Sequence, residues 1–267
     1  MLLSNFREKC MRITERDREL IRIIAEFSCM TSVQISKYFE MNIKVCQRRL
    51  RKLHKSGYLQ KRLVPSTTPG ASPLLYFLGQ HGVALLGMPI SRPRLNRHFT
   101  HMQQCTDIML DIFLSFQKVG DIKFRLLPEH IIRSENQHNG TIPDGSFSLN
   151  KEDKSALFLI EYDAETEILK SPTHNEDIES KIIRHVEIFK NNSIQFYSNY
   201  YEHAFQRFRL LYLTNTEKRL NSISKIVAEH DKYGFFLITT LTKLRKHGVD
   251  DSIWFVPATG EVEQKIV

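Results

Sequence analysis

Apolar residues return every three or four positions through three short stretches at the start of the chain; further on they come in unbroken runs. Between Thr14 and Phe27, Leu20, Ile21, Ile23, Ile24 and Phe27 form a helical stripe. Thr14 and Asp17 stand three apart as a capping arrangement, with Asp where Glu or Gln is preferred. Thr31 and Gln34 make a second box, predicting a short helix to Phe39, and Asn42 can cap a third helix that Gly57 stops. Along that third helix Ile43, Cys46, Leu50 and Leu53 recur at helical spacing and face inward, leaving Lys44, Gln47, Arg48, Arg51, Lys52 and Lys55 outside. Residues 58–64 read as a strand, PSTTPGASP (65–73) as a turn region, LLYFL (74–78) as a second strand and GQHGVALLG as a short helix.

SRPRLNRH, from Ser91, reads as a basic linker, and HMQQCTDIMLDIFLSFQKVG as an amphipathic helix with Met102, Ile108, Ile112 and Phe116 among its apolar positions. FRLLPEHIIR, TIPDGSFSLN and SALFLIEYDAE then predict three strands, followed by a helix, DIESKIIRHVEIFKN, and a buried strand, RLLYLTN. The helix KRLNSISKIVAEHD and two strand-like runs, FFLITTL and SIWFVPA, complete the pattern. The second half is thus α-β-β-β-α-β with additions, a mixed α/β domain. The expected division is residues 1–90, a linker at 91–100, and 101–267, with no internal repeat or low-complexity segment.

Charge sharpens this division. Residues 1–98 carry 18 Lys and Arg against 6 Asp and Glu, whereas the rest is slightly acidic. Between Glu40 and Asp107 there are 11 basic residues and no acidic one, which suggests contact with a polyanion, a solvated basic face being the plain alternative. Hydrophobic residues at 41% and charged residues at 25% are those of an ordinary globular protein, and no apolar run approaches membrane-spanning length. Cys10, Cys29, Cys46 and Cys105 form no CxxC pair, so zinc-ribbon and disulfide frameworks are both poor readings. The charged first residues do not suit a secretory segment, and a reduced, cytoplasmic protein is expected.

Three short helices followed by a β-hairpin make a winged helix-turn-helix, and VCQRRLRKLHKSGYL closely resembles the recognition helix and start of the wing in winged-helix DNA-binding proteins. The third helix is narrow enough for a major groove and its outer face is almost entirely cationic, so its affinity for DNA should fall steeply with salt. Lys61 and Arg62 on the following strand complete the candidate DNA-binding set. A basic helix in a purely structural three-helix unit is the alternative.

Pro143-Asp144-Gly145 begins one predicted strand; Glu161 follows the apolar run ALFLI of the next, and Asp163 lies two residues on. Period two puts Glu161 and Asp163 on one face, and pairing of the strands can bring Asp144 beside them. Three carboxylates at a sheet edge suit Mg²⁺ or Mn²⁺, and Lys181 on the next helix, or Lys170 before it, could steady developing charge. Pro-Asp-Gly is also a common turn, and paired acids after a strand are common on surfaces.

These residues resemble the PD-(D/E)xK nuclease superfamily, whose core has the same α-β-β-β-α-β order. Pro143-Asp144 and Glu161 match its motif; Asp163 stands where its lysine is expected, and Lys181 would fill that role as in members whose lysine has moved to the helix. The resemblance implies Asp144, Glu161, Asp163 and Lys181 as catalytic residues, the three acids holding the metal. With the winged helix in front, the arrangement resembles the plasmid replication-relaxation family, including MobC-type conjugative relaxases, over residues 14–215. That implies a protein recognising a double-stranded plasmid transfer origin and nicking one strand with Mg²⁺ or Mn²⁺, with accessory mobilisation or coupling proteins as further partners. A non-catalytic replication or transcription regulator with a nuclease-like scaffold is the rival, favoured by Asp163; a restriction-type endonuclease is a third reading. His98 and His101 are one residue too widely spaced for a His-x-His metal pair and read as a surface pair at a helix start; Tyr197, Tyr200 and Tyr201 read as loop or interface aromatics, or as stacking platforms. Neither GxxxxGK[ST] nor GxSxG occurs.

Overall fold

The structure, a computed structural model, describes residues 12–63, 73–87, 99–117, 122–135, 141–152, 154–171, 177–263 and 266. It divides into two compact units, Met1–Phe99 and Thr100–Val267. The turn region at 65–72 and the basic linker from Ser91 to His98 lie outside the described residues.

In the first unit, α1 (Glu15–Glu26), α2 (Ser32–Tyr38) and α3 (Ile43–Lys55) start where their caps predict. Thr14 and Asp17 close a reciprocal capping box, as do Thr31 and Gln34, and Asn42 Oδ1 accepts from the Lys44 N–H at 2.9 Å. The inward faces bring Leu20, Ile24, Ile35, Cys46, Leu50 and Leu53 into one buried set. A two-residue strand, β1 (Met30–Thr31), joins β2 (Leu59–Leu63) and β3 (Leu74–Leu78) in an antiparallel sheet of order β1-β3-β2. Gly57 leaves α3 at φ +71°, and α4 (Gln80–Leu86) begins so close to it that a Cβ on Gly79 would lie 2.3 Å from the Gly57 carbonyl oxygen. One acid crosses the core of this unit: buried Asp17 takes both the α1 cap and a two-pronged bond from Arg49 of α3.

The second unit is a seven-stranded mixed sheet of order β10-β9-β8-β7-β6-β5-β4. Its elements in chain order are α5 (Phe99–Gln117), β4 (Lys123–Pro128), α6 (Glu129–Glu135), β5 (Gly145–Lys151), β6 (Lys154–Asp163), α7 (Ile178–Lys190), α8 (Gln195–Tyr201), β7 (Phe208–Thr214), α9 (Glu217–His230), β8 (Phe236–Thr240), α10 (Leu241–His247), β9 (Trp254–Val256) and β10 (Glu261–Glu263). β6, β7 and β8 run parallel in the middle and the remaining pairs are antiparallel. β6 is covered on both sides, which is why its run ALFLI is continuous rather than alternating. Leu157 and Leu159 pack with Ile182 and Val186 of α7 and Ile223 of α9, while Phe158 stacks at 4.7 Å on Phe147, which in turn meets Phe116 of α5.

Several expected elements are corrected. EHIIR is helical: Pro128 ends its ladder opposite Gly145, Glu129 sits favourably at a helix start, and Arg133 reaches back to it. The tyrosines 197, 200 and 201 lie on a helix, α8, rather than a loop; Tyr197 and Tyr201 are buried, and the Tyr201 hydroxyl meets Ser146 at 2.8 Å. FFLITTL breaks at Thr240, which caps α10, and SIWFVPA shrinks to three paired residues. β1 and β10 are too short to leave a pattern.

The Asp17–Arg49 bond yields a test. Asp17→Ala is expected to cost the first unit about 2 kcal/mol through loss of a cap and a charge-assisted bond. Burial pushes the Asp17 carboxyl up, but Arg49 and Thr14 outweigh it and hold the group below its usual value. The contribution is therefore present above pH about 4 and disappears as pH falls through the lower folded-state value. Hydrogen-exchange protection of α1 and α3 in the full chain reads both effects; protection unchanged in the variant would refute this role.

Candidate functional site

The C-terminal end of β6 delivers two carboxylates into the layer covered by α7 and α9. Glu161 and Asp163 share that face with Leu157 and Leu159, as period two requires, and both are buried. Their surroundings differ. Asp163 Oδ2 is paired with Arg219 of α9, and its Oδ1 accepts from the Glu165 N–H at 2.8 Å. Arg219 also reaches the Glu167 carbonyl at 2.6 Å, so it ties the turn after β6 to α9.

Glu161 meets no such cation directly. Its Oε1 lies 2.9 Å from Nε2 of His185 on α7. Burial drives His185 down to about 3, so the ring is neutral. Its Nδ1 is buried without a partner. We assign the ring proton to Nε2, since a bare buried lone pair costs less than an unsatisfied N–H, and His185 then donates to Glu161. Burial and, next, the charge of Asp144 push the Glu161 carboxyl well above its usual value, with Lys181 opposing. Lys181, one turn before His185 on α7, is ion-paired with Glu167. Burial works against its ammonium, but Glu161 and Glu167 hold it above the ordinary value.

Asp144 arrives from the neighbouring strand. Its N–H donates to the Ile160 carbonyl at 2.9 Å, extending the β5–β6 ladder by one bond, and its Oδ2 accepts from the Tyr162 N–H at 2.8 Å. Oδ1 lies 2.9 Å from His101 Nε2 of α5, whose ring stacks on Tyr162 at 5.5 Å. Burial disfavours the imidazolium, yet Asp144 holds His101 above its usual value. Cys105, one turn along α5, also faces Asp144, and burial followed by that carboxylate push its thiol far up. Asp144, Glu161 and Lys181 therefore share one electrostatic environment, whereas Asp163 is drawn off to Arg219. His185 and Glu167 escaped the sequence reading, and His101, expected there as half of a surface pair at a helix start, is instead partly buried against Asp144; only the helical spacing of Lys181 and His185 hinted at a shared face. His98 lies outside the described residues. Lys170 bridges Glu179 and Glu229 at an exposed position instead of approaching the site.

Asp144, Glu161 and Glu167 carry the kind of hard oxygen donor that a divalent cation takes, and Glu167 Oε2 is buried with no hydrogen-bond partner, but among the described residues these three do not gather within 4.8 Å of one another as a ligand cluster.

In the first unit, Lys44, Gln47, Arg48, Arg51, Lys52 and Lys55 are all exposed along α3, and Lys61 and Arg62 are exposed on β2. Arg51 folds back on the Gln47 carbonyl at 3.3 Å. Val33 on α2 and Val45 on α3 are apolar yet solvent-facing.

A family model described as replication-relaxation matches residues 21–197, about two thirds of the chain. No curated protein matches. Two solved structures of the restriction endonuclease FokI, one bound to DNA and one without, align at 12% and 13% identity with TM-scores of 0.26 and 0.28. They cover 89% and 86% of this chain, which spans less than half of theirs, at 45% and 42%. A likeness at those scores does not establish a shared fold.

The contrast between the two β6 acids is measurable. Arg219→Ala strands Asp163 as a buried uncompensated charge and is expected to cost about 3 kcal/mol or more. Asp163→Asn added to it should recover part of that loss, because the two substitutions remove one interaction. Denaturant unfolding followed through Trp254, the single tryptophan, reports it. Strictly additive losses would deny the pair its structural role.

Proposed function

The chain belongs to the replication-relaxation family, and from that premise we propose that it processes plasmid DNA: the first unit recognises a site at a transfer origin, and the second nicks one strand with a divalent cation. The observation that carries the proposal is Glu161, a buried acid that feels the like charges of Asp144 and Glu167 and is opposed by Lys181 and His101 rather than by an ion pair of its own. A structural acid would be compensated as Asp163 is; an acid held among like charges has the arrangement of a cation site.

Asp144 and Glu161 are the proposed ligands, and a bound Mg²⁺ or Mn²⁺ would supply a Lewis acid to polarise a phosphodiester. His185 fixes the orientation of Glu161 by donating to Oε1. Lys181 brings a fixed positive charge to the rim, suited to a phosphate entering the site. Asp163 serves to lock the end of β6 to α9 rather than to ligate.

Three helices and a hairpin, with α3 presenting its cations outward, support reading the first unit as a winged helix with α3 in the major groove. Lys44, Gln47, Arg48, Arg51, Lys52 and Lys55 would face bases and phosphates, and Lys61 and Arg62 would follow the backbone from the wing. One observation favours the non-catalytic regulator: the position where the nuclease motif expects a lysine is spent on the Asp163–Arg219 ion pair.

Supercoiled plasmid carrying the native origin separates the two readings. With Mg²⁺ or Mn²⁺ the chain is expected to yield open circles, and Asp144→Asn and Glu161→Gln each to abolish them while still shifting origin DNA. A bandshift without nicking by the parent protein would support the regulator, and nicking by either variant at the parent rate would place the site elsewhere. On the address side, Arg48→Ala with Arg51→Ala should weaken binding and lower the slope of log affinity against log salt by about 0.9 for each phosphate no longer neutralised. An unchanged slope and affinity would remove α3 from the groove.

A further inference from the structure

Asp144 also belongs to a second donor set, of different chemistry. His101 and Cys105 are four residues apart on α5 and so share one helix face. Imidazole nitrogen, thiol sulfur and an Asp144 carboxylate oxygen all lie within 4.8 Å of one another. Tetrahedral coordination at bond lengths of about 2.0–2.3 Å places ligand atoms about 3.3–3.8 Å apart, so the three could close on an ion with side-chain adjustments alone.

Each donor is held by something other than its fellow donors. The His101 ring is fixed by its stack on Tyr162. Asp144 is fixed by the Tyr162 N–H on Oδ2 and by its own N–H to Ile160, which leaves Oδ1 turned toward α5. Cys105 is only 4% exposed, so its sulfur cannot swing away into solvent. Charge adds to the case: Asp144, Glu129 and Glu161 all bear on both His101 and Cys105, so the pocket is negative. The side chains of His101 and Asp144 keep 31% and 13% of their surface accessible, which gives an ion a way in and leaves a fourth position to solvent.

We propose that His101, Cys105 and Asp144 form a binding site for a thiophilic divalent cation of the Zn²⁺ class. Nitrogen and sulfur donors select Zn²⁺ or Co²⁺ over Mg²⁺, which prefers an all-oxygen shell. Binding replaces the His101–Asp144 hydrogen bond: the thiol proton is released to solvent, and so is the Nε2 proton of an imidazolium His101, while a neutral ring carries its proton on Nδ1 instead, leaving thiolate, neutral imidazole and carboxylate on the metal. The site does not depend on nuclease activity, and its test needs none.

The test is a titration of the reduced full chain with Co²⁺, read through the thiolate-to-cobalt charge-transfer band in the near ultraviolet and the visible bands of tetrahedral cobalt. Both are expected to saturate at one equivalent, to be erased by Zn²⁺ and to ignore Mg²⁺. Cys105→Ser should lose the charge-transfer band. His101→Ala should raise the dissociation constant at least about tenfold, since removing even an indirect partner of a ligand costs that much. Cys10→Ser should behave as the parent. Trp254 fluorescence confirms that each variant is folded, and His101→Ala keeps the test decisive if Cys105→Ser is not. No thiolate band at millimolar Co²⁺, or a band and affinity unchanged in both the Cys105 and His101 variants, would overturn the assignment.

Discussion

Carboxylates carried into a sheet interior must be compensated there, and that requirement organises the second unit. β6 is buried on both faces, yet it ends in Glu161 and Asp163 instead of apolar residues. Taking such a group out of water costs several kcal/mol unless charge or hydrogen bonds replace the solvent. Each covering helix therefore contributes a partner: α7 brings His185 and Lys181, α9 brings Arg219, and α5 brings His101 to Asp144 beside them. The helices are thus positioned by polar contacts at one end of the sheet as well as by the apolar layer along it.

The same requirement is met in two ways. Asp17 and Asp163 are each buried against an arginine, with backbone N–H groups filling remaining acceptor positions. Charge and hydrogen bonds are then satisfied, and the residue acts as a staple between helices or between strand and helix. Glu161 instead faces a neutral imidazole, a lysine it shares with Glu167, and the like charge of Asp144. Glu161 is thus balanced by shared and longer-range charges rather than by an ion pair of its own.

Local chemistry was the legible part of the sequence. Capping boxes at Thr14 and Thr31 depend on residues three apart, and the period-two placement of Glu161 and Asp163 depends on one strand alone, so each could be read without knowing the rest of the fold. Ile131 and Ile132 suggested a strand continuing past Pro128, but a strand there would need a partner beyond Gly145, where the ladder to β5 ends. The aromatics of α8 gave no clear helical stripe because three tyrosines and a phenylalanine sit within seven residues. Partners distant in sequence could not be seen: Arg219 lies 56 residues from Asp163, His185 24 from Glu161 and His101 43 from Asp144. The sequence pattern thus singled out Asp144, Glu161, Asp163 and Lys181 but not the distant partners Arg219, His185 and Glu167 around them.

Asp144 is the residue on which the two donor sets turn. Its backbone is fixed by the first bond of the β5–β6 ladder, and its two oxygens point different ways, Oδ2 to the Tyr162 N–H and Oδ1 to His101. It acts on Glu161 through its charge, and on α5 it meets nitrogen and sulfur. One carboxylate called on by both proposed sites cannot serve both fully at once. A substitution at Asp144 consequently disturbs both sets and identifies neither, whereas Glu161 belongs only to the hard side and Cys105 only to the soft one. The two proposals are therefore told apart by those two residues and not by the carboxylate they share.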